Sequence, residues 1–140
     1  MRWNAPGGDW VSDDPTLIDA GLVHRWLRDH SYWANDRTYE QVERSIRHSL
    51  ALGLYDTTDR QIGVCRWVTD EATFAWLADV FVEPAARGHG RGTFLVATAV
   101  AHPGVAGLRL QLLGTRDAHG LYAKFGFERA AAGRFMELRA

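Results

Sequence analysis

Residues Arg87 to Gly92 read Arg-Gly-His-Gly-Arg-Gly, and they stand between two apolar stretches, Leu77 to Val82 before and Thr93 to Ala101 after. A strand-forming run therefore passes through a glycine turn into a helix-forming run. Gly88, Gly90 and Gly92 carry no Cβ, so the backbone can take positive φ and lie against a ligand, while the first helical turn points unpaired N–H groups outward. A loop of this construction binds phosphate groups.

Spacing separates the loops that share this logic. A Walker loop needs Gly-Lys-Ser/Thr, which is not present, and the dinucleotide pattern G-x-G-x-x-G would begin at Gly88 and fails at Thr93. What fits is Arg87-x-x-Gly90-x-Gly92. About thirty residues on stands a second segment, Thr115-Arg116-Asp117-Ala118-His119-Gly120-Leu121-Tyr122-Ala123-Lys124-Phe125-Gly126-Phe127. Together the two resemble the R/Q-x-x-G-x-G/A and N-x-x-A-x-x-L-Y-x-K-x-G-F segments of the GNAT N-acetyltransferase superfamily. The resemblance is strong for Trp67 to Phe127 and rests on element order in the N-terminal third. Thr115 departs from it, standing where the family often has an Asn that contacts the pantetheine arm.

The chain's bulk properties agree with a small-molecule enzyme. Its 140 residues suit one domain, 1–140, and leave no room for a second core. No apolar run reaches the ~18 residues of a membrane span, and Met1 to Gly8 forms no secretory signal. Lys+Arg 16 against Asp+Glu 17 gives no bias toward nucleic acid or anionic lipid. The lone Cys65 has no disulfide partner, which agrees with a cytoplasmic location. Six histidines include no H-x-x-x-H pair, and Cys65 has no companion, so no metal site is expected.

Periodicity gives a coarse element order. A short strand is expected at Trp10 to Ser12, then a helix starting at Asp13-Asp14-Pro15 with Leu17, Ile18, Leu22, Val23, Trp26 and Leu27 on its apolar face. After a loop at Asp29 to Arg37, Thr38-Tyr39-Glu40-Gln41 forms a capping box for a second helix through Val42, Ile46, Ser49 and Leu50. Strands follow at Leu52 to Tyr55, Ile62 to Val68 and Phe74 to Val82. The helix after the glycine loop stops at His102-Pro103-Gly104, Leu108 to Leu113 is a strand, and a helix capped by Asp117 ends at Gly126. Phe127 opens a strand, and Phe135 to Leu138 closes the chain. The order is that of an α/β (α+β) fold with a mixed, mostly antiparallel central sheet flanked by helices, which matches the GNAT arrangement.

The resemblance implies acetyl-CoA as cosubstrate and places its binding at Arg87, Gly88, His89, Gly90, Arg91, Gly92 and Thr93 for the pyrophosphate. Val80, Phe81 and Val82 would present main-chain groups to the pantetheine, joined by Thr115 and Tyr122. The alternative for Arg91, and less so for Arg87, is a solvated turn residue. Tyr122 occupies the position of the family's general acid, although a helix-face aromatic is also a normal packing residue. Its phenol, with an ordinary pKa near ~10, stays protonated at neutral pH and can donate to a departing thiolate.

Asp79 is the only acid on the strand entering the loop. It resembles the Asp of the Glu-Asp pair in polyamine-type members of the family, which implies an amine-binding or proton-accepting role; the alternative is a structural salt bridge or a hydrogen bond to a loop, because apolar neighbours on both sides demand a partner for it. Asp70 and Glu71 are weaker candidates for a water-relayed base. Tyr32 and Trp33, adjacent in a polar loop, either line the acceptor pocket or cap the core, and Arg116 can reach the acceptor. The implied reaction is transfer of an acetyl group to a small primary amine by direct attack. The alternatives are a non-catalytic acyl-CoA sensor and a protein N-terminal or lysine acetyltransferase. A homodimer is possible on family grounds, and acyl length and acceptor identity are left open.

Overall fold

The computed structural model describes all 140 residues. One sheet organises them, with strands in the order β1 Arg2–Asn4, β2 Trp10–Ser12, β3 Leu50–Tyr55, β4 Gln61–Thr69, β5 Ala75–Val82 and β6 Gln111–Leu113. Neighbours run antiparallel except β5 and β6, which are parallel. Helices α1 (Ala20–His30) and α2 (Tyr39–Arg47) lie on one face, where Val23, Trp26, Leu27, Val42 and Ile46 meet Ala51, Val64 and Phe81. On the other face α3 (Arg91–Ala101) and α4 (His119–Ala123) place Leu95, Val96, Ala99 and Tyr122 against Leu52, Cys65, Trp67 and Val82. Trp67 is fully buried there, and its indole N–H donates to the Ala99 carbonyl at 3.0 Å. Truncating a ring so placed costs about 3–5 kcal/mol.

The mixed, mostly antiparallel α/β architecture is the expected one, and several element limits differ for local reasons. Pro15–Leu17 forms only a short 3₁₀ turn, because Asp19 takes the helix cap instead: its carboxylate accepts from the Leu22 N–H at 3.0 Å, and α1 starts at Ala20. The Thr38 capping box is present, but α2 ends at Arg47 and Leu50 opens β3. A strand missing from the sequence reading, β1, pairs with β2 across the turn at Pro6-Gly7-Gly8. Gly126, with φ +91°, stops the last helix: the Phe127 N–H reaches the Tyr122 carbonyl and the Gly126 N–H that of Ala123.

The two closing strands do not form. Phe127 packs on the core with its ring T-shaped to that of Tyr122, and Phe135, Met136 and Leu138 are exposed on a segment without regular structure. Ala130-Ala131-Ala132-Gly133 offers no side chain to hold a strand in register, and β6, which such a strand would extend, is only three residues long.

One irregularity shapes everything that follows. Val64 pairs with Phe81 and Arg66 with Ala78, so Asp79 and Val80 together oppose the single residue Cys65. This is a β-bulge, and Asp79 at its centre takes φ +54°, a left-handed conformation that Asp tolerates better than most side chains. Side-chain alternation along β5 therefore inverts: Ala75 and Leu77 face α3 before the bulge, Val80 and Val82 after it. The strand also bends there. Its pairing with β6 ends at Leu77 and Leu113, immediately before the bulge, and the two strands separate beyond that point.

Candidate active site

The separation of β5 from β6 opens a cleft of about 580 Å³ that passes through the sheet. From the α3 face it is lined by Arg87, Gly88, Gly90, Arg91, Gly92 and Thr93, from the α1 face by His30, Tyr32 and Trp33, and between them by Val80 to Val82 and Tyr122. A larger hollow of about 980 Å³ lies between β6, α4 and residues 128–134 and shares only Tyr122 with the cleft. Only the smaller one contains the glycine loop, which makes it the candidate site.

At its α3 end, Gly88 and Gly90 have φ of +91° and +71°, and Gly90 is the left-handed residue from which α3 starts. The Phe94 N–H is the first to find a helical carbonyl, that of Gly90, leaving the N–H groups of Arg91, Gly92 and Thr93 for an anion. A Cβ on Gly88, Gly90 or Gly92 would meet no protein atom within 4 Å, so the space over the turn is open for a ligand. Arg87 is exposed; its Nε donates to the Val82 carbonyl at 2.8 Å, its guanidinium lies 5.2 Å from the Phe81 ring centroid, and its two terminal nitrogens make no hydrogen bond within the protein. Beside it, Phe81 and Val82 pair with β4 on one edge, and with Val80 of the bulge they line the cleft on the other. These groups fit a nucleotide pyrophosphate followed by an extended amide chain.

The Acetyltransferase (GNAT) domain sequence model matches residues 47–129, from the end of α2 through both motifs. The chain belongs to the GNAT acetyltransferase family. A Gibberella zeae protein carrying an acetyltransferase name is 30% identical over 137 residues, 84% of this chain and 77% of that one. The crystal structure of a GNAT-family protein from Xanthomonas campestris pv. campestris superposes with a TM-score of 0.89 at 43% identity, covering 94% of this chain and 93% of that one. A Clostridium acetobutylicum protein crystallised with acetyl-CoA shares the fold at 16% identity and a TM-score of 0.66, covering 99% and 96%.

Within this GNAT site Tyr122 sits where core meets cleft. Burial pushes its phenol up to about 12, with smaller contributions from Cys65, Tyr32 and Asp117, so it stays protonated through the whole working range. Cys65, fully buried beneath the bulge, is held as a thiol by the same desolvation.

The other expected residues fall into different places. Asp79 is 4% exposed at its side chain and fully engaged: Trp33 Nε1 donates to Oδ1 at 2.9 Å, while Arg37 Nη1 and Arg66 Nε donate to Oδ2 at 2.7 and 2.8 Å. Burial works to raise its pKa, yet the two guanidiniums outweigh it and hold the carboxyl below its usual range. Of the two roles open from sequence, this geometry belongs to the structural ion pair.

Arg91 is likewise anchored, to Asp9 at 2.7 Å and the Ala86 carbonyl at 3.1 Å, which ties the loop to the β1–β2 hairpin. Thr115 lines the larger hollow, and its hydroxyl accepts from the Ala118 N–H at 3.0 Å. It thus holds the turn that leads into α4, whose N-cap is Ala118 and carries no side-chain cap, so Asp117 does not cap it. Asp70 accepts three N–H groups and the Thr73 hydroxyl, which holds it ionised as the organiser of its turn, and Glu71 sits on that same turn at φ +58°. Neither lines the cleft.

Tyr32 and Trp33 remain 45% and 40% exposed and form the α1-side rim, so they line the cleft more than they cap the core. The Arg116 N–H donates to the Tyr32 hydroxyl at 3.1 Å, and its guanidinium lies 3.8 Å from that ring's centroid. The loops after α1 and β6 are thereby joined across the mouth. Arg37 and Arg66 were missed from sequence, although a signal existed: an arginine inside the apolar run Ile62 to Val68 needs a buried counter-charge, and Asp79 was the acid lacking one.

The open turn gives a direct test. Gly90→Val would place a branched side chain in the ligand space at a φ such residues avoid. Calorimetry is expected to show coenzyme A affinity reduced at least about a hundredfold in a folded variant, a loss of the order of the charge-assisted contacts displaced. Unchanged affinity would remove this loop from the donor site.

Proposed function

We propose that this GNAT protein transfers the acetyl group of acetyl-CoA to the nitrogen of a small primary amine by direct attack. The observation that carries the reading is the convergence, in one cleft through the sheet, of an anion-binding turn, a free strand edge and a buried protonated phenol. The turn and strand edge hold the donor with its thioester near the bulge, and the amine enters past Tyr32 and Trp33. The amine lone pair forms a bond to the carbonyl carbon, and collapse of the adduct breaks the carbon–sulfur bond. Tyr122 gives its proton to the departing sulfur. The amine's own proton passes to solvent through the open mouth, since Asp79 is committed to its arginines. No covalent intermediate with the protein is required, which leaves Cys65 without a role in the chemistry.

Mixing protein, acetyl-CoA and an amine panel tests this through released thiol and the mass of the acetylated product. The pH profile is also determined. Without an enzymic base, only neutral amine reacts, so kcat/KM for an amine with a pKa near ~10 rises about tenfold per pH unit from about 7 to 9. Tyr122, protonated up to about 12, adds no falling limb in that interval. A plateau above an apparent pKa of about 6–7 would instead reveal a base on the protein.

A further inference from the structure

The phosphate turn is gripped at both ends by ion pairs to two neighbouring hairpins. At the upstream end, Arg60 on the β3–β4 turn pairs with Glu83 at 2.7 Å and with Asp56 at 3.5 Å, while the Glu83 N–H donates to the Ile62 carbonyl at 2.9 Å. At the downstream end, Arg91 Nε donates to Asp9 at 2.7 Å, and Asp9 belongs to the turn between β1 and β2. That turn is itself docked. Trp10 Nε1 donates to Asp59 at 3.0 Å, the Trp10 ring stacks on Tyr55, and a Cβ on Gly8 would meet Thr57 Cγ2 at 2.8 Å. Both grips therefore lead back to one stretch of scaffold, residues 55–60.

The two arginines of the turn do different things. Arg87 keeps its terminal nitrogens free of protein partners, whereas Arg91 spends Nε on Asp9 and Nη1 on the Ala86 carbonyl. The Asp9 hydrogen bond, with weaker help from the charges of Asp56 and Glu83, stabilises the guanidinium in this place. Arg91 is also the first residue of α3, its own N–H is one of the three left for an anion, and Gly90 before it stands at φ +71°. The peptide group that must face the ligand thus belongs to the residue whose side chain is tied to the hairpin. The pair is partly exposed, at 16% for Asp9 and 24% for Arg91, so it adds little to global stability. Its effect is on the shape of the turn.

Resting on the acetyl-transfer reading above, we propose that Asp9 is a positioning residue of the donor site. Acting through Arg91, it holds Gly90 to Thr93 in the conformation that presents three N–H groups to the pyrophosphate, so the Arg91 side chain serves the scaffold and not the phosphates. Apparent affinity scales with the fraction of molecules whose site is already formed. With the tie cut and the turn formed in about one molecule in ten, coenzyme A binds about tenfold more weakly. Once bound, the thioester still lies near the bulge and Tyr122, so the rate at saturation is kept.

Calorimetry with coenzyme A compares the wild-type protein, Asp9→Asn, Arg91→Ala and the double variant. Expected are about tenfold weaker binding in Asp9→Asn, a loss of the same size in Arg91→Ala, and no further loss in the double variant, because both changes cut one tie. In Asp9→Asn the KM for acetyl-CoA rises about tenfold with kcat within about twofold of wild type, a split that general destabilisation does not produce. Amide exchange needs no ligand. The Phe94 N–H, bonded to the Gly90 carbonyl, is expected to exchange at least about tenfold faster in Asp9→Asn, with the core amides of β4 unchanged. Affinity that holds or rises in Asp9→Asn while Arg91→Ala weakens it assigns Arg91 to the phosphates and overturns the proposal. Losses that multiply in the double variant, or unchanged exchange at Phe94, overturn it as well. Failure of the wild-type protein to bind coenzyme A is a separate result, which overturns the acetyl-transfer reading itself.

Discussion

Asp79→Asn is expected to lower folding stability by about 3 kcal/mol while leaving kcat within about tenfold of wild type in the folded fraction. Asn keeps the size of the side chain and tolerates φ +54° at least as well as Asp, so the change isolates the charge. What is lost is the one anion facing Arg37 and Arg66, whose side chains are 28% and 12% exposed. Removing one member of a buried pair leaves the other uncompensated, which is the costly case, and here two guanidiniums are left facing one another. Partial exposure of Arg37 argues for the lower end of the ~3–5 kcal/mol range.

The acid limb of stability supplies a second reading of the same variant. Because the folded-state pKa of Asp79 is depressed, its contribution is complete above the ordinary carboxylate pKa near ~4 and is lost as pH falls through the folded value. The wild-type protein is therefore expected to lose this increment below about pH 4, and Asp79→Asn to lack it throughout. Urea titrations at several pH values measure both. A variant as stable as wild type that has lost kcat by about a thousandfold would make Asp79 the base after all.

How far the sequence could be read depended on whether local patterns or pairings carried the information. The glycine turn, the Thr38 capping box, the Gly126 stop and the strand periods of β4 and β5 are short-range signals, and the structure has them at or near the expected places. The β5 bulge is different: it exists only in the pairing of β5 with β4, and nothing in Trp76-Leu77-Ala78-Asp79-Val80 announces two residues opposite one. Without it, plain alternation along β5 gives no sign that side chains change face at Asp79, and Asp79 is left without its partners. Those partners are themselves distant, 42 and 13 residues away. Phe135 to Leu138 erred in the other direction, where a strand-like composition lacked a neighbouring edge to pair with.

Tyr122→Phe is expected to lower the single-turnover rate of acetyl transfer about 10²-fold, with little change in acetyl-CoA affinity. The substitution keeps the ring, and with it the contact to Phe127 and the place in the α3-side core, so the fold is not perturbed. Only the proton donor disappears. A general acid contributes about 10² to 10⁴-fold, and the lower end applies here because a thiolate leaves readily without help. Burial strengthens the case for a donor and excludes a base: a phenol pushed up to about 12 carries its proton at every pH at which the protein works. Steady-state kcat would show a smaller effect if product release were slow, so the comparison is made by rapid mixing under saturating amine. Should the Phe variant match wild type in that experiment, Tyr122 would be a packing residue at the cleft wall and the thiolate would depart unassisted.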